Sequence, residues 1–588
     1  MNSFFNSFKF FHRIIGGKIY LSWLLLLLAT MVEGIGISLF FPVLKNGVAG
    51  DDVISAGMRM SLDYFDASYS LTLMLKLILF VLLIRAFLSI AQRWYNGWLM
   101  SGMSAFLQLQ VLRGYFKIDY TYFIRQRSGY MVNAIAKELP QISAAYKMFS
   151  AILSSLVIST VYLSIPLMLN PEATLYLLGF GALIFMTMVP INRLLKRNSL
   201  KNSDISGILQ NYIIQSFSFY KYLKSTNTFL PISKRIEKNI EEVRRIQYLQ
   251  SGPLDAVPHY GIEFVALCSI IGMIYYQSVI VGKDVEAQLF VLFLLYRSIS
   301  SLLSLQMQYR KLLTYAGSIR VYKNLKSGID ENIEIVNSNG IPIDFNNNIS
   351  FKNVSFKYET AGRNTLDDIN IVIEPKTTIG IVGESGSGKS TLISLLTAAL
   401  KPDRGELKIG GHLYDEYNIL DLRAKIGYVT QENIIFNDTI SNNISLWGEK
   451  VTDSEITESA KKALAYDFIM DQPNKFDQQV GDNGVNLSGG QRQRITIARE
   501  LCKHSEMLVF DEATSALDSE TESYIQDSIR QLKGEKTILI VSHRLFTLKE
   551  CDVIYMLKKG KVIASGTFNE LVRNSSEFKK MCETQDLG

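Results

Sequence analysis

Cysteine is scarce in this chain, and so is any surplus of one charge. Only four cysteines, Cys268, Cys502, Cys551 and Cys582, occur among 588 residues, spaced too widely for a zinc pattern or a disulfide framework. They read as free thiols, suited to a reducing cytosol. The formal net charge of +6 is small for this length, and Lys and Arg gather between apolar segments instead of forming one basic stripe, which argues against nucleic acid as a partner. A small-residue cleavage site is missing after the first apolar run, which is also too long for a signal-peptide core, so no cleaved leader is expected.

What the chain has in abundance is apolar length, confined to its first half; the second half has the composition of a soluble α/β domain. Spanning a bilayer takes about 20 mainly apolar residues. Six stretches qualify, 19–44, 71–91, 150–169, 175–189, 257–281 and 287–305, the fourth lengthened by its flanks. Ahead of them, residues 1–18 interleave Phe4, Phe5, Phe8, Phe10 and Phe11 with Lys9, His12, Arg13 and Lys18. That segment is too short and too charged to cross, but suits a helix lying in the headgroup plane. Arg113, Lys117, Arg125 and Arg127 lie between spans two and three, and Arg193, Lys196, Arg197 and Lys201 between four and five. These stretches and both termini are therefore placed in the cytoplasm, and the loop 45–70, with Asp51, Asp52, Asp63 and Asp66, outside. Helical periodicity persists through the cytoplasmic stretches, predicting helices that run well below the membrane and turn at tips near 119–128 and 225–233. Asn170-Pro171-Glu172 predicts a tight outer turn, and the polar, poorly periodic residues 326–348 read as a linker between a membrane domain of 19–325 and a soluble domain of 349–588.

That soluble domain is organised around Gly383-Glu384-Ser385-Gly386-Ser387-Gly388-Lys389-Ser390-Thr391, set between the apolar runs 379–382 and 392–400. The stretch fits G-x-x-x-x-G-K-[ST] in full. Its glycines permit a loop whose backbone N–H groups converge on a β-phosphate, Lys389 reaches the β- and γ-phosphates, and the Ser390 hydroxyl ligates Mg²⁺. A Gly- and Ser-rich turn alone can be merely structural; the strand, turn and helix setting makes this one a nucleotide site. Further on, the apolar strand 507–510 ends in Asp511-Glu512, one acid to hold Mg²⁺ through water and a second to polarise the attacking water. Leu487-Ser488-Gly489-Gly490-Gln491 opens the helical run 492–502 and offers a second set of free N–H groups to an anion. Ahead of the loop, 349–358 alternates as an edge strand does and ends in Tyr358, whose ring either stacks on adenine or is simply buried.

With these elements in place, residues 349–582 resemble the nucleotide-binding domain of ABC transporters. The resemblance rests on Tyr358, the phosphate loop, Gln431 in Val429-Thr430-Gln431-Glu432, the LSGGQ stretch, Asp511, Glu512, Ser515-Ala516-Leu517-Asp518 and His543. It implies ATP and Mg²⁺ as cofactors, Glu512 as catalytic base, His543 on the γ-phosphate, Gln431 in the metal shell and in touch with the membrane helices, and Asp518 at the nucleotide. It also implies two such domains meeting head to tail, each ATP lying between one subunit's loop and the other's Ser488, Gly489, Gly490 and Gln491. No catalytic position is degenerate, which favours a homodimer. Gln478-Gln479-Val480-Gly481-Asp482-Asn483-Gly484 departs from the T-E-V-G-E-R-G common in exporters, so contact with the partner's coupling turns differs in detail.

Ionisable groups inside spans are costly and face a cavity or a partner. Glu33, Arg85, His259, Glu263 and Arg297 are such groups. They admit internal pairs such as Arg85 with Glu33, or a cationic patch for an anionic headgroup, since arginine grips phosphate oxygens with two prongs. Val32-Glu33-Gly34-Ile35-Gly36-Ile37-Ser38 with Pro42, Ile84-Arg85-Ala86, Ala256-Val257-Pro258 and Leu295-Tyr296-Arg297 resemble the bacterial flippases of lipid-linked oligosaccharides, with His259 where that family has arginine. The resemblance implies an exporter-type half-transporter: a membrane α-helical bundle of six spans fused to an α/β P-loop ATPase domain with a helical subdomain. Such a protein sits in the bacterial inner membrane and flips an amphipathic lipid-linked oligosaccharide or other anionic glycolipid, here at Arg85, Arg297 and His259. The alternatives are a multidrug or peptide exporter, the latter without a cysteine-protease module ahead of the first span, and an ATP-gated channel or regulatory membrane ATPase, which would carry the same ATP motifs.

Overall fold

The computed structural model describes residues 2–40, 59–60, 63–64, 70–280, 282, 285–359, 362–513 and 519–585, and the chain divides into two compact units, Met1–Ile333 and Glu334–Gly588. The first unit is helical. In order it contains α1 (Asn2–Ile15), α2 (Lys18–Ser38), α3 (Leu71–Tyr115), α4 (Tyr120–Phe123), α5 (Ser128–Asn133), α6 (Leu139–Leu169), α7 (Pro171–Thr187), α8 (Val189–Ser218), α9 (Tyr220–Ser225), α10 (Phe229–Ser251), α11 (Pro253–Tyr275), α12 (Val285–Thr314) and α13 (Ala316–Glu331). Among the described residues four stretches are long and apolar enough to cross a membrane: Lys18–Ile37, Leu71–Tyr115, Ser128–Met168 and Phe229–Ile280. The fourth expected span falls on α7, whose 17 residues reach slightly less than the hydrocarbon thickness of about 30 Å at about 1.5 Å per residue. The sixth falls on α12. With 45 residues, α3 runs far past what a bilayer needs, as its unbroken periodicity predicts.

Where α6 meets α12 the facing side chains are small and polar. Ser159 Oγ lies 2.8 Å from Ser301 Oγ, Ser155 Oγ lies 3.2 Å from Ser304 Oγ, and the Ser298 hydroxyl donates to the Tyr162 carbonyl at 2.9 Å. Burial of apolar surface gives helices in lipid no reason to associate, so close approach and such hydrogen bonds hold spans together. Asn170 leaves helical geometry between α6 and α7, and Pro171 begins α7, where its missing N–H is harmless. This is the tight turn expected there.

Other expectations change. Residues 326–331 of the expected linker are the end of α13, because the stripe Val321, Tyr322, Leu325 and Ile329 continues at helical spacing and is buried. The aromatic face of α1 is turned onto protein: Phe11 is fully buried, with ring centroids 5.5 Å from Tyr146 and 5.3 Å from Phe149, and Phe10 meets Tyr322 at 5.8 Å. The tip expected at 119–128 contains a helical turn, α4, started by the Asp119 carboxylate, which accepts the Thr121 N–H at 2.7 Å. Pro42, Asp51, Asp52 and Asp66 lie outside the described residues.

The second unit holds two sheets built from β1 (Ile349–Phe356), β2 (Leu366–Ile373), β3 (Thr378–Gly383), β4 (Arg404–Ile409), β5 (His412–Leu413), β6 (Ile426–Val429), β7 (Met507–Asp511), β8 (Thr537–Val541), β9 (Val553–Lys558) and β10 (Lys561–Gly566). One is antiparallel, in the order β2-β1-β4-β5; the other runs β10-β9-β3-β8-β7-β6. β1 pairs on both sides and is therefore internal, not an edge strand. Its alternation reflects one buried face, not a free side. β3, β7 and β8 are buried along their whole length, which explains their continuous apolar sequence. α14 (Lys389–Leu396) follows β3, α15 (Ile419–Lys425) precedes β6, and a helical insertion between β6 and β7 comprises α16 (Ile440–Ser445), α17 (Asp453–Lys462), α18 (Tyr466–Met470) and α19 (Gly489–Cys502).

Candidate functional site

Strand order decides where the site forms. β3, β8 and β7 are parallel neighbours, so the segments leaving their C-terminal ends meet at one rim, where open parallel sheets bind ligands. Those segments are the loop 383–390, Ser542-His543 and Glu512, which follows Asp511.

The loop needs its glycines. Gly386 and Gly388 have φ of +77° and +108°, and a Cβ on Gly383 would lie 2.3 Å from the Leu557 carbonyl oxygen. The Ser387 hydroxyl is buried without a hydrogen-bond partner among the described residues, an orphan that a phosphate oxygen would satisfy. Behind it α14 starts at Lys389, directing its positive end at the loop. Lys389 Nζ donates to the carbonyls of Gly383 at 2.9 Å and Glu384 at 3.2 Å and lies 3.6 Å from Glu512 Oε1. Glu384, Ser385 and Ser390 are exposed. Tyr358 is half-buried, its hydroxyl 3.4 Å from Thr391 Oγ1, so the expected adenine stacker stands beside the loop.

Glu512 is where the predicted residues converge. Gln431 Nε2 donates to Glu512 Oε2 at 3.2 Å, and His543 Nδ1 lies 3.7 Å from the same oxygen. The backbone of Glu512 has φ of +50°, a costly conformation for a non-glycine residue that recurs at functional sites. Its neighbour Asp511 is buried and accepts the Tyr428 hydroxyl at 3.0 Å. Burial raises the Asp511 carboxyl above the ordinary aspartate range, with the Tyr428 hydrogen bond pulling the other way. Tyr428 escaped the sequence reading: nothing in the short apolar β6 marks which side chain will reach the neighbouring strand.

The LSGGQ residues sit elsewhere in the unit. Ser488 caps α19, its Oγ accepting the Gln491 N–H at 3.2 Å while Gln491 Oε1 accepts the Ser488 N–H at 2.9 Å. Gly489 and Gly490 occupy the first turn, whose N–H groups have no partner within the helix. Among the described residues none of the four bonds to the loop 383–391 or to Glu512. Ser515 and Asp518 lie outside the described residues.

In the first unit Arg85 Nη2 lies 2.9 Å from Glu33 Oε1, and the Tyr162 hydroxyl donates to that oxygen at 2.6 Å. The Arg297 guanidinium stands 5.9 Å from the ring centroids of both Tyr162 and Phe293, and among the described residues it has no carboxylate partner. Glu33, Arg85 and Arg297 line one otherwise mostly apolar cavity of about 470 Å³. His259 does not join them, because among the described residues α11 contributes nothing to that cavity's wall. Its ring instead meets Tyr260 at 4.9 Å, and its Nδ1 is buried without a hydrogen-bond partner among the described residues.

Residues 366–515 match the ABC transporter family and residues 20–302 the ABC transporter transmembrane region. Over 241 residues the chain is 42% identical to the ATP-dependent lipid A-core flippase of Alkalilimnicola ehrlichii, covering 41% of each chain. Over 261 residues it is 42% identical to a Staphylococcus aureus ATP-binding/permease protein named for multidrug export, covering 44% of this chain and 45% of that one. The matched stretch thus spans less than half the length of these curated relatives. In fold the chain aligns with a bacterial Atm1-family ABC exporter solved with ATP bound, at a TM-score of 0.79 and 22% identity, over 97% of this chain and 99% of the other. A transmembrane region and an ATP-binding region of one family stand in tandem on a single polypeptide, and the protein belongs to the ABC transporters as a half-transporter with the exporter fold.

Proposed function

We propose that the protein is an ATP-driven exporter that flips an amphipathic substrate with an anionic head across the bacterial inner membrane, working as a homodimer with both termini in the cytoplasm. The convergence of Gln431, His543 and Lys389 on Glu512 carries the ATP half of this reading. Glu512 accepts the proton of the water that attacks the γ-phosphate, Gln431 orients that carboxylate, His543 meets the γ-phosphate, and Lys389 swings from its two loop carbonyls to the β- and γ-phosphates. Ser390, Gln431 and Asp511 would hold Mg²⁺, which would supply charge neutralisation at the phosphates. Tyr358 stacks on adenine, Asp518 adjoins the nucleotide, and the Ser488, Gly489, Gly490 and Gln491 stretch of a second copy closes the site.

For the substrate, the single supporting observation is the unequal state of two arginines. Arg85 is already neutralised by Glu33, so among the described residues Arg297 supplies the uncompensated charge of an otherwise mostly apolar cavity. An acidic head on a lipid chain fits such a place, and a lipid-linked oligosaccharide or other anionic glycolipid has that chemistry. In proteoliposomes, polyprenyl-pyrophosphate glycans are expected to stimulate ATP turnover several-fold and Arg297→Ala to abolish the stimulation while leaving basal turnover intact. Stimulation by hydrophobic cations instead would favour multidrug export, after which the Staphylococcus aureus relative is named. Solute flux that persists in Glu512→Gln held with ATP would point to a channel.

A further inference from the structure

We infer a second lipid-binding place, separate from the ATP site and from the Arg297 cavity: a groove between α1, α8, α12 and α13 that takes the headgroup of an acidic phospholipid from the leaflet beside α1. It requires the first unit to be embedded in a membrane and is independent of which substrate is moved. The groove has a volume of about 570 Å³. Phe10, Leu312, Leu313 and Ile319 give it an apolar floor, Lys196 and Lys323 stand on its rim, and among the described residues no acidic side chain lines it.

The two lysines differ from the basic residue beside them. Arg320 is committed, donating to Asp204 Oδ1 at 2.6 Å and to the Leu200 carbonyl at 2.9 Å. Lys196 and Lys323 are exposed and have no carboxylate partner among the described residues. Lys323 Nζ lies 5.6 Å from the centroid of the Phe10 ring; a cation held over a ring face keeps N–H groups free on its outer side. An apolar floor under two uncompensated ammonium groups is complementary to a phosphodiester with its first acyl carbons.

The depth fits as well. Lys196 lies about two helical turns, roughly 10 Å, beyond the start of α8 at Val189. Headgroup layers extend about 5–8 Å past the hydrocarbon core, and a lysine stem reaches back by several ångströms. A basic residue held near an anionic surface strengthens its attraction severalfold, so two acting together should prefer an acidic over a zwitterionic headgroup by on the order of tenfold.

Native mass spectrometry of the full-length protein, titrated with phosphatidylglycerol or phosphatidylcholine of identical acyl chains, tests this. Wild type is expected to bind the first phosphatidylglycerol about tenfold more tightly, and Lys196→Glu/Lys323→Glu to lose that preference. Lys234→Glu/Lys238→Glu, exposed on α10, and Arg297→Ala should keep it. If the charge reversal prevents folding, Lys196→Gln/Lys323→Gln gives the same readout with a smaller perturbation. A wild type without preference, or a preference that survives in the Lys196/Lys323 variants, overturns the inference. Loss in Arg297→Ala alone would also overturn it, by assigning the preference to the inner cavity.

Discussion

Both carboxylate oxygens of Glu512 are engaged: Gln431 and His543 address Oε2 while Lys389 faces Oε1. An amide at this position keeps the shape and loses the proton acceptor. Glu512→Gln is therefore expected to lower ATP turnover by about 10²- to 10⁴-fold, the usual share of a general base, with nucleotide binding retained; phosphate release and equilibrium dialysis measure the two separately. A loss of less than tenfold would remove Glu512 from the role of base. Glu500 on α19 is a different kind of acid. It is buried, accepts the Tyr428 N–H at 3.3 Å, and has its carboxyl raised above the ordinary glutamate range by that burial, against the pull of Lys503. The folded chain thus holds this proton more tightly than the unfolded chain, so stability falls as pH rises from the ordinary glutamate value through the raised one. Glu500→Gln should remove that penalty. Its thermal midpoint should exceed that of wild type by a few degrees near pH 7.5 and by less near pH 5; an equal gain at both would show that ionisation is not the cause.

Helices α5, α8 and α13 approach so closely that glycine is required between them. A Cβ on Gly129 would lie 2.3 Å from Asn211 Cα, and one on Gly317 would lie 2.5 Å from the Ser199 carbonyl oxygen. At their junction Glu138 is buried, taking the Ser318 hydroxyl at 2.6 Å and the Ser203 hydroxyl at 3.2 Å. Backbone cannot retreat as a flexible side chain can, so Gly129→Ala should part α5 from α8 at a cost of about 1–3 kcal/mol. A lowered thermal midpoint of the detergent-purified protein reads this out, against Gly97→Ala, whose Cβ would meet open space; identical midpoints would contradict it. Element type and length were legible in the sequence because they depend on local period: the long α3, the break at Asn170 and the phosphate loop all carry their own signals. Pairing was not. Whether β1 lies inside its sheet depends on β2 and β4, and whether His259 shares a cavity with Arg297 depends on the rotation of α11, where each residue turns the face by about 100°. The linker reading of 326–331 failed for a related reason, since the apolar stripe that makes α13 is sparse there and its partners lie far away in sequence.

At the scale of the whole molecule, the sites expected from sequence form two groups within one ATP-binding unit. Lys389, Gln431, Asp511, Glu512 and His543 gather at the rim of β3, β8 and β7, while Ser488 and Gln491 cap α19 and, among the described residues, bond to neither the loop nor Glu512. Two separated half-sites on one chain are what a head-to-tail pair of identical subunits would join into two whole ones. Complementation separates this from a self-sufficient subunit. In a Glu512→Gln background that retains ATP, Lys389→Ala breaks one half-site, and Gly490→Asp breaks the other by setting a carboxylate where phosphate should meet the start of α19. Each homodimer should then trap no nucleotide. A mixed dimer of the two, purified through different tags, places both lesions in one composite site and leaves the other intact on both sides, so it should trap one ATP per dimer. Trapping by either homodimer would show that the group it lacks is not needed to hold nucleotide, and a mixed dimer as empty as its parents would show that each chain completes its own site and the halves are not shared between subunits.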